Sequence, residues 1–187
     1  IEGLEWAMAN GMDVVNMSLG GPYDIDSYHE AITTAYESGI TIVAAAGNEG
    51  LYGGTMGYPA RYPETIAVSA TDNQDGLAYF SSYGSDIDVA APGQSIYSTY
   101  KGDNYTTMSG TSMATPFVTG VAALVAAGDI NLCLSLDGTP CDIDSDGVWD
   151  PDEILHKIAD SAEDIGLAEY QQGAGLVDAE AASNLNF

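Results

Sequence analysis

The sequence predicts an α/β fold built on a mostly parallel sheet, and three observations carry that prediction. Short apolar runs of strand length alternate with helical segments along the chain, the signature of parallel strands joined by crossover helices. The runs themselves are apolar on both faces, as strands covered from two sides must be. At 187 residues and 45% hydrophobic, the chain is long and apolar enough for one domain with a real core.

In order, Leu4–Asn10 reads as the end of a helix and Val14–Leu19 as a buried strand. Ser27–Ser38 is an amphipathic helix, with Gly39 as its C-terminal stop. Thr41–Ala46 and Thr65–Thr71 are two further strands, and Ile87–Ala90 is a short fourth. Ser95–Tyr100 and Tyr105–Ser109 suit a hairpin around Lys101-Gly102-Asp103-Asn104. A helix follows Ser112 and runs to Ala127, and Asp152–Ser161 is another. There are no internal repeats and no low-complexity linker.

Charge is extreme. Twenty-eight acidic residues stand against Arg61, Lys101 and Lys157, a formal net charge of −25. Such a field repels nucleic acid and anionic membranes, so neither is an expected partner. No apolar run approaches the roughly 20 residues that span a bilayer. A solubility device, adaptation to high salt and calcium loading all remain open as reasons for the acidity.

The chemistry concentrates at Gly110-Thr111-Ser112-Met113-Ala114-Thr115-Pro116. A serine stands where irregular chain turns into a helix. Gly110 permits a tight turn, and Pro116 falls in the first turn, where a missing N–H costs little. The helix N-terminus leaves unpaired N–H groups for whatever the serine attacks. Taken alone, Ser112 could equally be an ordinary capping serine. The string, however, resembles the nucleophile motif of the subtilases, the subtilisin-like serine proteases.

Further segments carry the same resemblance in the same order. They are Asp13–Pro22, Thr41–Asn48, Tyr58–Pro63, Val89–Gly93 and Gly173–Ala179. Together they cover nearly the whole chain apart from an insertion near residues 129–153. The resemblance implies a subtilisin-like three-layer fold and a secreted, extracellular serine endopeptidase acting on peptide or protein substrates. Ser112 would be the nucleophile. Asn48 would hold the oxyanion with the Ser112 backbone N–H, a task that suits an uncharged amide donor. Ser18-Leu19-Gly20 and Ala45-Ala46-Gly47 would form the walls of the pocket for the residue before the cut, with Gly57 at its base. An extended peptide would pair along Ser18–Gly20 as an added strand. The family pattern also suggests a weak cation site at the carbonyls of Ala60, Tyr62 and Thr65 with the Asp88 carboxylate.

One part of the family pattern is missing. A serine nucleophile needs a base and a carboxylate to orient it. The family's Asp-Ser/Thr-Gly and His-Gly-Thr-His motifs do not occur here. His29, in Ser27-Tyr28-His29-Glu30-Ala31, and His156, in Ile154-Leu155-His156-Lys157-Ile158, both read as surface histidines on helices. The expectation is that residues 1–187 are the C-terminal part of a subtilase catalytic domain. The triad Asp and His would lie in an N-terminal portion outside this chain, and the fragment alone would be inactive.

The insertion has chemistry of its own. In Asp142-Ile143-Asp144-Ser145-Asp146-Gly147-Val148-Trp149-Asp150-Pro151-Asp152-Glu153, acidic residues fall at places 1, 3, 5 and 9, Gly at 6 and Glu at 12. That is the spacing of an EF-hand calcium loop. Asp142, Asp144, Asp146, Asp150 and Glu153 would supply carboxylates and Val148 its backbone carbonyl to one Ca2+. An acidic loop in an acidic protein is the plainer alternative. Cys133 and Cys141 stand where an EF-hand entering helix would be. They are either a disulfide or two free thiols, and an extracellular protease favours the bridge.

Two rivals complete the set. A pseudoprotease, or peptide-binding interaction module, would have lost its base and kept the groove. A nucleotide-binding domain would need a Gly-rich loop leading into a helix. Gly50–Gly57 does not lead into one, and the negative field repels phosphate.

Overall fold

The structure, a computed structural model, describes residues 1–135 and 137–183. Leu136, inside the expected insertion, and residues 184–187, at the end of the expected domain, lie outside the described residues.

Four strands form one parallel sheet in the order β1 (Val14–Met17), β2 (Thr41–Ala45), β3 (Thr65–Thr71), β4 (Val89–Pro92). Sequence neighbours are therefore sheet neighbours. Every residue of β2 and β3 is buried, as a strand covered on both faces requires. The pleat sends alternate side chains to opposite faces. Val43, Ile66, Val68 and Ala70 go to one side, and Ile42, Ala44 and Ala67 to the other.

Helices cover both faces and give three layers. On one, α1 (Glu2–Ala9) and α2 (Asp26–Glu37) bury Leu4, Ala7, Ile32 and Ala35 against Ile42 and Ala44. On the other, the long α3 (Thr111–Ala126) buries Ala114, Val118, Val121, Ala122 and Val125. Behind it stand α4 (Pro151–Ser161), with Ile154 and Ile158, and α6 (Ala179–Ser183), with Ala182. The short α5 (Glu169–Gln172) touches β4. An antiparallel hairpin, β5 (Ile96–Tyr100) and β6 (Asn104–Met108), leads into α3. Among the described residues no helix is long and apolar enough to cross a membrane.

Most expected elements lie within two residues of these bounds. The fourth strand starts two residues later than expected, at Val89. The Asp88 carboxylate takes the Ala67 N–H at 2.7 Å just before the ladder begins. Burial raises that carboxyl from 3.8 to about 6, against the bond from Ala67. His29 corrects the surface reading in part. Its ring stacks on Tyr62 at 3.9 Å and its Nε2 lies 3.0 and 3.2 Å from the Glu64 oxygens, leaving it only part-exposed. His156 is exposed.

Candidate active site

A parallel sheet places the ends of its strands along one edge, where loops collect functional groups. The loops after β1 and β2 deliver Ser18–Gly20 and Gly47–Asn48 to that edge, and the start of α3 meets them there. Gly47 has φ of 115°, and a Cβ at that position would lie 2.5 Å from Glu49 Oε2. The turn that presents Asn48 thus requires glycine. Gly110, the residue before α3, has φ of 157° and ψ of 159°, a region essentially confined to glycine.

Asn48 is oriented by the helix it faces. Its Oδ1 accepts from the Thr111 backbone N–H at 2.9 Å, and the Thr111 hydroxyl lies 3.3 Å from the same oxygen. With the oxygen held there, the Nδ2 donors are left for the cleft that Asn48 and Ser112 both line. Ser112, second residue of α3, donates from Oγ to the Ser18 carbonyl at 3.1 Å. The Ser18 hydroxyl donates in turn to the Ser112 carbonyl at 2.8 Å. Neither histidine is a hydrogen-bond partner of Ser112 among the described residues; His29 is taken by Glu64.

The cleft has a volume of about 540 Å³. Leu19, Gly20, Ala45, Gly47 and Gly57 line it. Ser18 and Ala46 do not. Ser18 is turned to Ser112, and Ala46 is wholly buried, its N–H bonded to Val68 and its carbonyl to the Gly57 N–H. Gly57 sits close to the facing loop, where an added Cβ would come 3.1 Å from the Gly21 carbonyl. The sequence reading missed Glu49 and Arg61 in the lining. Both are charged groups next to named motif residues, which was the available signal. On the other side of Ser112 a second, more apolar hollow of about 330 Å³ runs between the hairpin and Phe117 of α3.

The acidic loop lies elsewhere, beyond the far end of α3. Oxygens of Asp142, Asp144 and Asp146 lie within 4.8 Å of one another. Asp142 takes the Asp146 and Gly147 N–H groups, and Gly147 makes the turn at φ of 80°. Asp150 and Glu153 are not in that cluster. Asp150 caps α4 by accepting from Asp152 and Glu153 N–H, and Glu153 reaches back to the Asp150 N–H at 3.2 Å, a capping box. The other Glu153 oxygen takes the Ile143 N–H at 2.6 Å. Glu153 is only 2% exposed, and that burial raises its carboxyl above the usual range. Cys133 and Cys141 form a disulfide, with Cα atoms 5.4 Å apart, packed on Ile130 and Trp149.

At the expected weak cation site, the Tyr62 carbonyl already accepts from Thr65, through both its N–H and its hydroxyl.

A parallel α/β domain with a helix-start serine facing an oriented asparagine amide is the class that fold and site define. Residues 1–175 match the peptidase S8, or subtilase, family, and the chain belongs to that family. It is 42% identical over 185 residues to subtilisin DY of Bacillus licheniformis and 44% identical over 185 residues to a subtilisin of Bacillus pumilus, covering 98% of this chain and 61% of each relative. Subtilisin E of Bacillus subtilis (strain 168) is 44% identical over the same length, which is 44% of that relative. The chain thus spans between 44% and 61% of the length of these curated relatives.

Proposed function

We propose that this chain is the serine-bearing part of a secreted, extracellular subtilisin-like endopeptidase that cleaves peptide bonds through an acyl-enzyme on Ser112. The observation that carries the reading is the bond from Thr111 N–H to Asn48 Oδ1, which leaves an amide donor beside a serine at a helix start. Ser112 Oγ attacks the scissile carbonyl. The oxyanion accepts from the Ser112 N–H and from Asn48 Nδ2, so charge that develops only in the transition state meets donors already in place. The substrate backbone lies along Ser18–Gly20, and the side chain before the cut enters the cleft over Gly57.

The base and its carboxylate come from a segment outside this chain. Supporting this, the Ser112 hydroxyl donates to a backbone carbonyl, and the more buried histidine is engaged by Glu64. The outer edge of β1, unpaired among the described residues, and the hollow beside Phe117 are where such a segment would seat. A pseudoprotease that only binds peptides is favoured by the same lack of a base at Ser112. One assay separates the two. Residues 1–187 alone should not turn over a peptide substrate. Supplied with the segment carrying Asp and His, they should, and Ser112→Ala should abolish it. No Ser112-dependent turnover in the completed protein leaves the peptide-binding reading.

We further propose that Asp142, Asp144 and Asp146, with the Val148 carbonyl, Asp150 and Glu153, hold one Ca2+. The close approach of three carboxylates supports it, since hard oxygen donors suit that ion and repel one another without it. The ion would stabilise the turn between the disulfide and α4.

A further inference from the structure

The first turn of α3 contains a defect that the sequence creates and the fold repairs. In a helix the carbonyl of residue i accepts from the N–H of residue i+4. For Ser112 that residue is Pro116, which has no N–H. The carbonyl of the nucleophile's own residue therefore lacks its ordinary donor. The Ser18 hydroxyl supplies one at 2.8 Å, from a residue 94 positions away.

The donor is itself aimed. Asn16 Nδ2 donates to Ser18 Oγ at 2.9 Å, which directs the single Ser18 proton toward Ser112. Asn16 Oδ1 lies 3.0 Å from the hydroxyl of Thr119, two helical turns along α3. That hydroxyl also lies 3.0 Å from the Thr115 carbonyl, so its one proton serves either oxygen. The chain Thr119, Asn16, Ser18, Ser112 ties β1 and the loop after it to α3 at two levels. Because Ser112 Oγ also donates to the Ser18 carbonyl, the two residues grip each other through two bonds of opposite direction.

We propose that the Ser18 side chain, aimed by Asn16, is a positioning residue for the nucleophile. This rests on Ser112 being the nucleophile, and it is separate from the role of the Ser18 backbone in pairing substrate. The Ser18 hydroxyl stands in for the missing Pro116 amide. It sets where the first turn of α3 lies, and with it both Ser112 Oγ and the Ser112 N–H that receives the oxyanion. Substrate binding in the cleft does not depend on that hydroxyl, since it does not line the cleft.

The test is made in the protein as encoded, with its base present. Ser18→Ala should lower kcat by about 10- to 100-fold, the scale set by displacement of reacting groups by an ångström or less. KM should move little. Ser18→Thr, which keeps the hydroxyl, should retain most of the native kcat. Pro116→Ala restores an N–H four residues beyond Ser112, so in that background Ser18→Ala should cost far less. A loss confined to KM, no rescue by Thr, or an equal loss in both backgrounds overturns the proposal. If the native protein shows no Ser112-dependent turnover, the endopeptidase reading fails, and the same proteins are compared by melting. Ser18→Ala should then lower the midpoint by about 2–4 °C with Pro116 present and not in the Pro116→Ala background, as loss of about one net hydrogen bond predicts. Equal drops in both backgrounds would overturn the positioning role by itself.

Discussion

Asn48 Oδ1 accepts the Thr111 backbone N–H at 2.9 Å, one residue before the serine. The bond consumes the end of the amide that could not serve an oxyanion and leaves the end that could. In the proposed endopeptidase, replacing Asn48 by Leu should lower kcat far more than it raises KM, because an oxyanion contact of the proposed kind is made only in the transition state. The size expected, about 10²–10³-fold, is taken over from the general effect of removing this donor in a subtilisin. Steady-state kinetics on a peptide substrate check it. A defect confined to KM would remove Asn48 from the oxyanion hole.

Calcium should raise the melting temperature. At a free concentration 100 times its Kd, a ligand of the folded state alone adds about 2.7 kcal/mol. For a chain of this size that is roughly 5–10 °C. Chelator should reverse the shift, and Glu153→Gln should blunt it. Trp149, within the loop, donates its indole N–H to the Gly128 carbonyl just beyond α3 at 2.9 Å. Its fluorescence should report binding. An unchanged melting temperature in chelator would dismiss the calcium loop.

Acid should expose the role of Glu64. Burial pushes its carboxyl up, but bonds from the Thr33 hydroxyl, its own backbone and His29 outweigh that and hold it below 4.5. A depressed folded value means stability present above about 4.5 and lost as pH falls through the folded value. Unfolding between about pH 5 and 3 should therefore steepen in the native chain relative to Glu64→Gln. Parallel pH profiles for the two proteins would show that this cluster carries no such linkage.

Ile158 joins the segment behind the acidic loop to the core under α3 and is fully buried. Ile158→Ala should cost about 2–5 kcal/mol, the usual range for emptying such a site. Leu51→Ala, at a residue 66% exposed, should stay within about 0.5 kcal/mol. Denaturant midpoints of the two variants make the comparison.

Much of this was legible in the chain itself. The span Thr65–Thr71 coincides with β3, because an apolar run bounded by turn residues has one way to be buried in a parallel sheet. The helix opening at Gly110-Thr111-Ser112 followed a local rule, glycine before the helix, but Pro116, expected in the first turn, is the sixth residue of α3, where its missing N–H costs the Ser112 carbonyl its ordinary donor. Period and spacing are short-range properties, and they transfer directly into local structure.

Other features exist only through contacts between distant segments. His29 looked like a surface histidine on a helix, and only the loop carrying Tyr62 and Glu64 half-buries it. Ala46 read as a pocket wall, and only the distant Val68 and Gly57, bonded to its N–H and carbonyl, leave it wholly buried. Glu153 stood at the twelfth place of a cation loop, yet the same carboxylate closes the cap of α4, since spacing does not say which N–H a buried oxygen will meet. By itself the sequence determined the family and the strand and helix order, because those depend on residue types at fixed short separations. Only tertiary structure decided that Ser18 would complete the broken first turn of α3. A missing amide at Pro116 demands a donor, and nothing local says that β1 will bring one from 94 residues away.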